Sequence, residues 1–533
     1  MSGSESRARA CRAIGRLIGI KPKDDLNDCM DNDSTVNTNV NQQSVDKVSD
    51  FYDPKPSISG PLVSQGPTLH RQSYNFTASA EGHDVAAVAV FLRTVATLDG
   101  GPTPEVAIGL AGCSTIVNDR CSVDLPLSRD LSTAEPGHYR VRVVAANSHG
   151  DSESTEYDFY VDFPYFGFND FWEQNKLLNG VPADFTHDAF YGANQIGVNT
   201  ARLNAYEDDY VNCDTGQPKP ADPNIGATRA YERLLDDGIK PIIVVFPNCN
   251  PAAGEPPSAG GCVQVDSDAQ PGEVGPPLDT SADNAAWRTA MATVASRYPG
   301  ALGLEISNEP NTTRFWGGCD PDVLRYIELL QLAYAGVKTD AESSLPVITA
   351  GMAPGGTRLD PSGSFVSRYS WVEYLAWLSY FDAASFADVV GLHPYRPESE
   401  CDQQSTPSVA QSALQQLAQA RDRSSTGFSG LPDPVWVTEV GVSTTGGDCR
   451  RFTEANQSSA LLSIYQALRA ADVPVVVFHS YMDPEQYVGD PADALWEDGT
   501  GIVRNGGQAV PQFTQKPAYC ILMTERGYDR SPC

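Results

Sequence analysis

From about residue 163 onward the sequence repeats one period: a short apolar run, a polar loop, then a segment whose apolar residues recur at helical spacing. Eight such runs follow one another, at 165–169, 197–204, 241–247, 301–306, 346–351, 389–395, 434–440 and 474–479. They are too short for helices, rich in Val and Ile, and bounded by Gly, Pro or Asn. Lacking polar alternation, they fit strands covered on both faces, as in a parallel sheet. Parallel neighbours need a crossover between them, and helix-type segments such as 285–295 and 323–330 supply it. In the second of these, Val323, Tyr326, Ile327 and Leu330 fall on one face. Eight strand–helix units predict an α/β fold, a (β/α)8 barrel spanning 163–533. The loops at 208–224, 247–280 and 353–370 are long enough to wall a pocket or edge a cleft.

The preceding chain has another character. Residues 1–61 are rich in Asp, Asn, Ser and Thr with few large apolar residues, which predicts a disordered or loosely attached leader. Across 62–162 short β-type runs are separated by Gly, Pro and Asn. The clearest are 85–92 and 138–147, where Tyr139, Val141 and Val143 alternate with Arg140 and Arg142. Such alternation marks a strand with one buried face, and several over this length predict a small all-β sandwich. The segment from Pro136 to Gly150 resembles the late strands of immunoglobulin-like or fibronectin-type domains. A spacer or packing domain is the plainer role for it, and a binding module the alternative.

Lys and Arg number 37 against 68 Asp and Glu, a formal charge of −31. That charge repels nucleic acid and anionic membranes, and no apolar run is long enough to span a bilayer. The expectation is a soluble monomer acting on a neutral substrate. Twelve cysteines are scattered without a Cys-x-x-Cys pair, which argues for disulfides in an oxidising compartment rather than zinc. Cys113–Cys121, Cys249–Cys262 and Cys520–Cys533 would each close a short loop, although sequence does not fix connectivity. Secretion is therefore expected, even though the stretch 10–20 is interrupted by arginines and lacks the apolar core of a signal peptide. No phosphate loop, Walker-type lysine or His-Glu-x-x-His helix occurs, so neither a cofactor nor a metal is implied.

Two of the eight runs lead into a glutamate. The fourth continues as Ser307-Asn308-Glu309-Pro310, and the seventh carries Thr438-Glu439. In a (β/α)8 barrel the C-terminal strand ends carry the chemistry, so the two carboxylates are expected to face each other across the mouth. Glycosidic bond cleavage needs that pair: a proton for the leaving oxygen and a negative group beside an oxocarbenium-like centre. A surface carboxylate or a strand-end salt bridge is the plainer alternative for either residue.

With Asn-Glu-Pro on the fourth strand and Thr-Glu on the seventh, the chain from about 163 to 528 resembles the clan A glycoside hydrolases, nearest to the family 5 cellulase-like enzymes. The resemblance implies a retaining hydrolase of β-linked oligo- or polysaccharides, with Glu309 as general acid/base and Glu439 as nucleophile. It further implies that Arg202 supports the nucleophile, the alternative being pairing with Glu207, Asp208 or Asp209. Asn308 would bond the sugar hydroxyl beside the reacting carbon. His393 and Tyr395 match a His-x-Tyr after the sixth strand, the tyrosine supporting the nucleophile and the histidine lying nearby. Aromatic rings pack on the C–H faces of sugars, which makes Trp316 and Trp496 candidate platforms, with Trp172, Phe478 and Tyr481 placed similarly. Two departures stand out. Phe478-His479-Ser480-Tyr481 occupies the place of the family's usual tryptophan after strand eight, and Phe246-Pro247-Asn248 that of a histidine after strand three. A carbohydrate-binding or cell-surface protein with an inactive barrel, or a transglycosidase, is the competing function.

Overall fold

The computed structural model describes residues 57–59, 68–69, 73–83, 85–97, 103–112, 116–117, 120–130, 134, 136–147, 152–162, 164–169, 197–222, 226–249, 279–312, 314–316, 321–354, 370–396, 408–422, 429–445, 451–481, 483, 499–504 and 514–526. The expected leader therefore lies almost wholly outside the described residues. The chain divides into two compact units, Met1–Val95 with Gly101–Val161, and Ala96–Gly100 with Asp162–Cys533.

The first unit is built from two sheets. One has the order β1 (Ser57–Ser59), β3 (Ser73–His83), β7 (Arg120–Asp130), β6 (Ile116–Val117) and is antiparallel throughout. The other runs β2 (Thr68–Leu69), β9 (Ser152–Val161), β8 (Gly137–Asn147), β4 (Val85–Thr97), β5 (Val106–Gly112), with β2 parallel to β9. Ala78, Ala80 and Leu125 from the first sheet share one core with Val88, Val90, Tyr139, Val141, Val143 and Phe159 from the second. The alternation read in β8 holds. Tyr139, Val141 and Val143 are buried, while Arg140 and Arg142 on the other face meet Asp158 and Glu105.

The second unit contains all eight expected strands, in order: β10 (Tyr165–Asn169), β11 (Thr200–Tyr206), β12 (Lys240–Phe246), β13 (Gly303–Ile306), β14 (Val347–Thr349), β15 (Val390–Leu392), β16 (Val435–Val440) and β17 (Val475–His479). Each pairs in parallel with its neighbour, and β10 pairs with β17. Parallel bridges Ile348–Val389 and Met352–Leu392 bring β14 to β15 and close the circle. Inward-pointing Tyr165, Ile242, Ile348, Trp436, Val475 and Val477 fill the lower barrel. Outward-pointing residues such as Leu203, Ile243, Leu304 and Val437 join the helices in the larger core. The strands read as unbroken apolar runs because both faces are covered.

Five of the helices start at side-chain caps. Around the barrel lie α1 (Glu207–Tyr210), α2 (Gly226–Asp236), α3 (Ser281–Arg297), α4 (Val323–Tyr334), α5 (Trp371–Tyr380), α6 (Val409–Arg421), α7 (Glu454–Ala470) and α8 (Pro517–Glu525). Thr280, Asp322 and Thr453 accept first-turn N–H groups of α3, α4 and α7. Ser370–Glu373 and Ser408–Gln411 form capping boxes. The predicted face of α4 is buried, Val323, Tyr326, Ile327 and Leu330 included. One expectation is corrected: Cys249 is bonded to Cys213, not to Cys262. Cys213 follows β11 and Cys249 follows β12. Because these strands are neighbours, the loops leaving them meet, although 36 residues separate the cysteines in sequence. Cys520 is disulfide-bonded as well. Among the described residues no helix is long and apolar enough to cross a membrane.

Candidate active site

The site is assembled from the C-terminal halves of six barrel strands and the turns that follow them. Register places Asn169 beside Arg202 on one side and His479 on the other, so β10, β11 and β17 present three polar side chains in a row. Arg202 is 2 % exposed and spends all three arms of its guanidinium: Nε donates to Glu305 Oε2 (2.7 Å), Nη1 to Glu439 Oε2 (2.8 Å) and Nη2 to Asn308 Oδ1 (2.6 Å). Its partners are therefore not Glu207, Asp208 or Asp209. Glu207 instead accepts the N–H groups of Asn248 and Cys249, and burial, the largest influence on it, raises its pKa to about 7.

Glu439 sits where β16 departs from regular pairing. The register between β16 and β17 shifts between Val437 and Val440. Regular strands send successive side chains to opposite faces, whereas here the adjacent Thr438 and Glu439 both reach inward, to Glu305 and Arg202. Besides Arg202, Glu439 Oε2 accepts from Asn169 Nδ2, and its Oε1 accepts from the Tyr395 hydroxyl (2.6 Å). Burial pushes the Glu439 pKa up, but His393, His479, Arg202 and the Tyr395 hydroxyl outweigh it and bring the value down to about 2. The carboxylate is thus built to stay ionised. Burial and the Glu439 anion push Tyr395 well above its ordinary value, which keeps it a hydroxyl donor.

Glu309 is delivered by a backbone turn that ordinary residues avoid. Ser307 and Glu309 both take left-handed conformations, with φ of 68° and 38°. Such angles cost on the order of 1–3 kcal/mol each and cluster at functional sites. The turn lets Asn308 face Arg202 while Glu309 Oε1 lies 3.0 Å from His393 Nδ1. Thr312 secures it through two bonds to the Glu309 carbonyl, and the Glu309 N–H donates to Gly351 O. One ligating atom from each of Glu309, His393 and Glu439 lies within 4.8 Å of the other two. Atoms this close are able to hold a cation, but the Arg202 guanidinium already supplies positive charge against Glu439.

The structure thus brings together six of the residues expected from sequence: Arg202, Asn308, Glu309, His393, Tyr395 and Glu439. Trp316 stands apart, 2 % exposed and packed in the main core, so its ring offers no open face to a sugar. Phe478 and Tyr481 are likewise buried, in ring contact with Phe168. Trp496 and Trp172 lie outside the described residues. Sequence reasoning missed Asn169, Glu305 and His479 as members of the site. For Glu305 a signal existed, a charged residue inside a buried strand, since such a charge requires a partner.

No protein-family model matches the chain, and no curated protein matches it. Solved structures do show likeness. A family 39 glycoside hydrolase from the gut symbiont Bacteroides cellulosilyticus WH2 aligns with 87% of this chain and 82% of its own, at 18% identity and a TM-score of 0.44. A GH5_18 protein from Bifidobacterium longum subsp. infantis covers 68% of this chain and 78% of its own, at 14% identity and a TM-score of 0.46. The exo-β-1,4-mannosidase Op5Man5 from Opitutaceae bacterium strain TAV5 covers 72% of this chain and 60% of its own, at 14% identity and a TM-score of 0.43. At these scores the likenesses carry no weight of their own. The strand order and closure define the molecule as a parallel (β/α)8 barrel.

Proposed function

We propose that the protein is a retaining glycoside hydrolase that cleaves β-glycosidic bonds of an oligo- or polysaccharide by double displacement. The observation that carries this is the carboxylate pair, with oxygens of Glu309 and Glu439 within 4.8 Å of each other. Retaining enzymes place their carboxyl groups about 5–5.5 Å apart, whereas inverting enzymes leave roughly 6.5–9.5 Å for a water. The unequal surroundings of the two also favour this reading. Glu439 is held as an anion by Arg202, Asn169 and Tyr395, while Glu309 is met by one histidine nitrogen.

In the first step Glu439 attacks the anomeric carbon as the bond to the leaving oxygen breaks, and Glu309 gives that oxygen its proton. Glu309 then takes a proton from water, which displaces Glu439 and releases the sugar with its configuration kept. Asn308 binds the hydroxyl beside the reacting carbon, held in place by Arg202. The protein acts outside the reducing cytoplasm, a placement supported by the Cys213–Cys249 disulfide. The test is turnover of aryl β-glycosides of several sugars, with the anomer first formed read by NMR. A β product is expected, and an α product from a β substrate would overturn the mechanism.

A further inference from the structure

Glu305, at the centre of the site, takes no part in the reaction just described. It is fully buried. Its Oε2 accepts from Arg202 Nε (2.7 Å), and its Oε1 accepts from Thr438 Oγ1 and the Gly351 N–H (both 2.9 Å). The same Oε1 lies 3.8 Å from His393 Nε2, a buried nitrogen with no hydrogen-bond partner among the described residues. The opposite ring nitrogen faces Glu309. Glu305 therefore touches both the guanidinium that holds Glu439 and the imidazole that meets Glu309. The backbone makes room for this arrangement. A Cβ at Gly351 would stand 2.0 Å from His393 Cδ2 and 2.1 Å from Nε2, expelling the ring.

We propose that Glu305 is a positioning residue, a fixed anion that locks Arg202 onto Glu439 and aims His393 at Glu309. The proposal rests on Glu309 and Glu439 being the reacting pair. In the first step a proton leaves Glu309 while Glu439 becomes an ester, so the site's mobile negative charge passes from one carboxylate to the other. Glu305 and Arg202 keep their charges throughout, and each reacting carboxylate finds its partner already in place. Groups oriented beforehand need no reorganisation at the moment of reaction. The charged and titratable groups facing this cluster are Arg202 from β11, Glu309 beyond β13, Tyr326 from α4, His393 and Tyr395 beyond β15, Glu439 from β16 and His479 from β17.

Glu305→Gln in the full chain keeps the shape and removes the charge. On an aryl glycoside that the wild type hydrolyses, kcat/KM should fall at least tenfold. The alkaline limb of the pH–rate profile should move down, because Glu305 faces the His393 ring whose other nitrogen meets Glu309. Glu305→Asp, which keeps the charge, should leave that limb in place. Equal losses in both variants with an unmoved limb would reduce Glu305 to a structural filler and overturn the proposal. A second readout needs no turnover: the ring 15N signals of His393, assigned by their loss in His393→Asn. They should move in Glu305→Gln while those of His138 stay, and unmoved signals would overturn the proposal. Should Glu305→Gln not fold, Thr438→Val frees the same oxygen and is judged by the same signals. Lack of turnover on every glycoside would defeat the hydrolase assignment, and the ring spectrum would still decide the part played by Glu305.

Discussion

Replacing Glu439 by Gln removes one negative charge from the most heavily supported position in the barrel, and the cost to folding follows from its environment. The folded pKa of about 2 lies below the ordinary glutamate value of 4.5. One pKa unit corresponds to about 1.4 kcal/mol, so the anion contributes about 3 kcal/mol to stability at neutral pH. A folded value below the unfolded one gives stability that is complete above about pH 4.5 and is lost as pH falls through about 2. At pH 3 the unfolded chain is already protonated at this residue and the folded one is not, which leaves about 1 kcal/mol. Urea unfolding of wild type and Glu439→Gln at pH 7 and pH 3 would measure both differences, and the other carboxylates cancel in the comparison. Five of the seven tryptophans, Trp287, Trp316, Trp371, Trp377 and Trp436, lie on described residues of the second unit and none precedes residue 172, so their fluorescence reports on that unit. The expected gap shrinks from about 3 to about 1 kcal/mol between the two pH values. A gap independent of pH, or one near zero at pH 7, would refute the electrostatic account of Glu439.

Other consequences are open to similar tests. Glu309→Ala should slow aryl glycosides with poor leaving groups far more than those with good ones, because only the former need the proton; equal slowing would remove Glu309 from the acid role. Tyr395→Phe removes a 2.6 Å hydrogen bond to the Glu439 anion and should lower kcat about 10- to 100-fold, read by steady-state kinetics. Cys213→Ser opens a loop of 36 residues and should destabilise the barrel by about 3.8 kcal/mol in the chain-entropy picture, measured by urea unfolding.

The barrel was legible in the sequence because burial on both faces leaves a plain trace. All eight apolar runs became strands in the expected order, although β14 and β15 are three residues long and the runs around them continue into loops. The glutamates were legible because they interrupt or end those runs where a barrel keeps its chemistry. What escaped notice depended on which strands become neighbours. Arg202 and Glu305 each demanded a partner, but local sequence offered Arg202 three acidic residues on the next loop. Its bond to Glu439 was expected from the resemblance and is present, and the partner that escaped notice, Glu305, comes from two strands away. Cys249 was expected to pair with a cysteine nearby in sequence, and the adjacency of β11 and β12 gave it Cys213. Asn169 ends its strand like any polar residue, and only its register beside Arg202 and His479 makes it a donor to Glu439. The change of direction at Thr438–Glu439 depends on a local irregularity that periodicity does not reveal. The aromatic platform was misread at Trp316, since a tryptophan after a strand serves the core as readily as the mouth.

The central claim is that Glu439 is the nucleophile of a double displacement. Incubating the intact protein with 2-fluoro activated glycosides of several sugars, followed by peptide mapping, tests it most directly. The account predicts a stable glycosyl adduct on Glu439, absent from Glu439→Gln. An adduct on another residue, or inverting turnover of the parent glycoside by a protein that never becomes labelled, would contradict it.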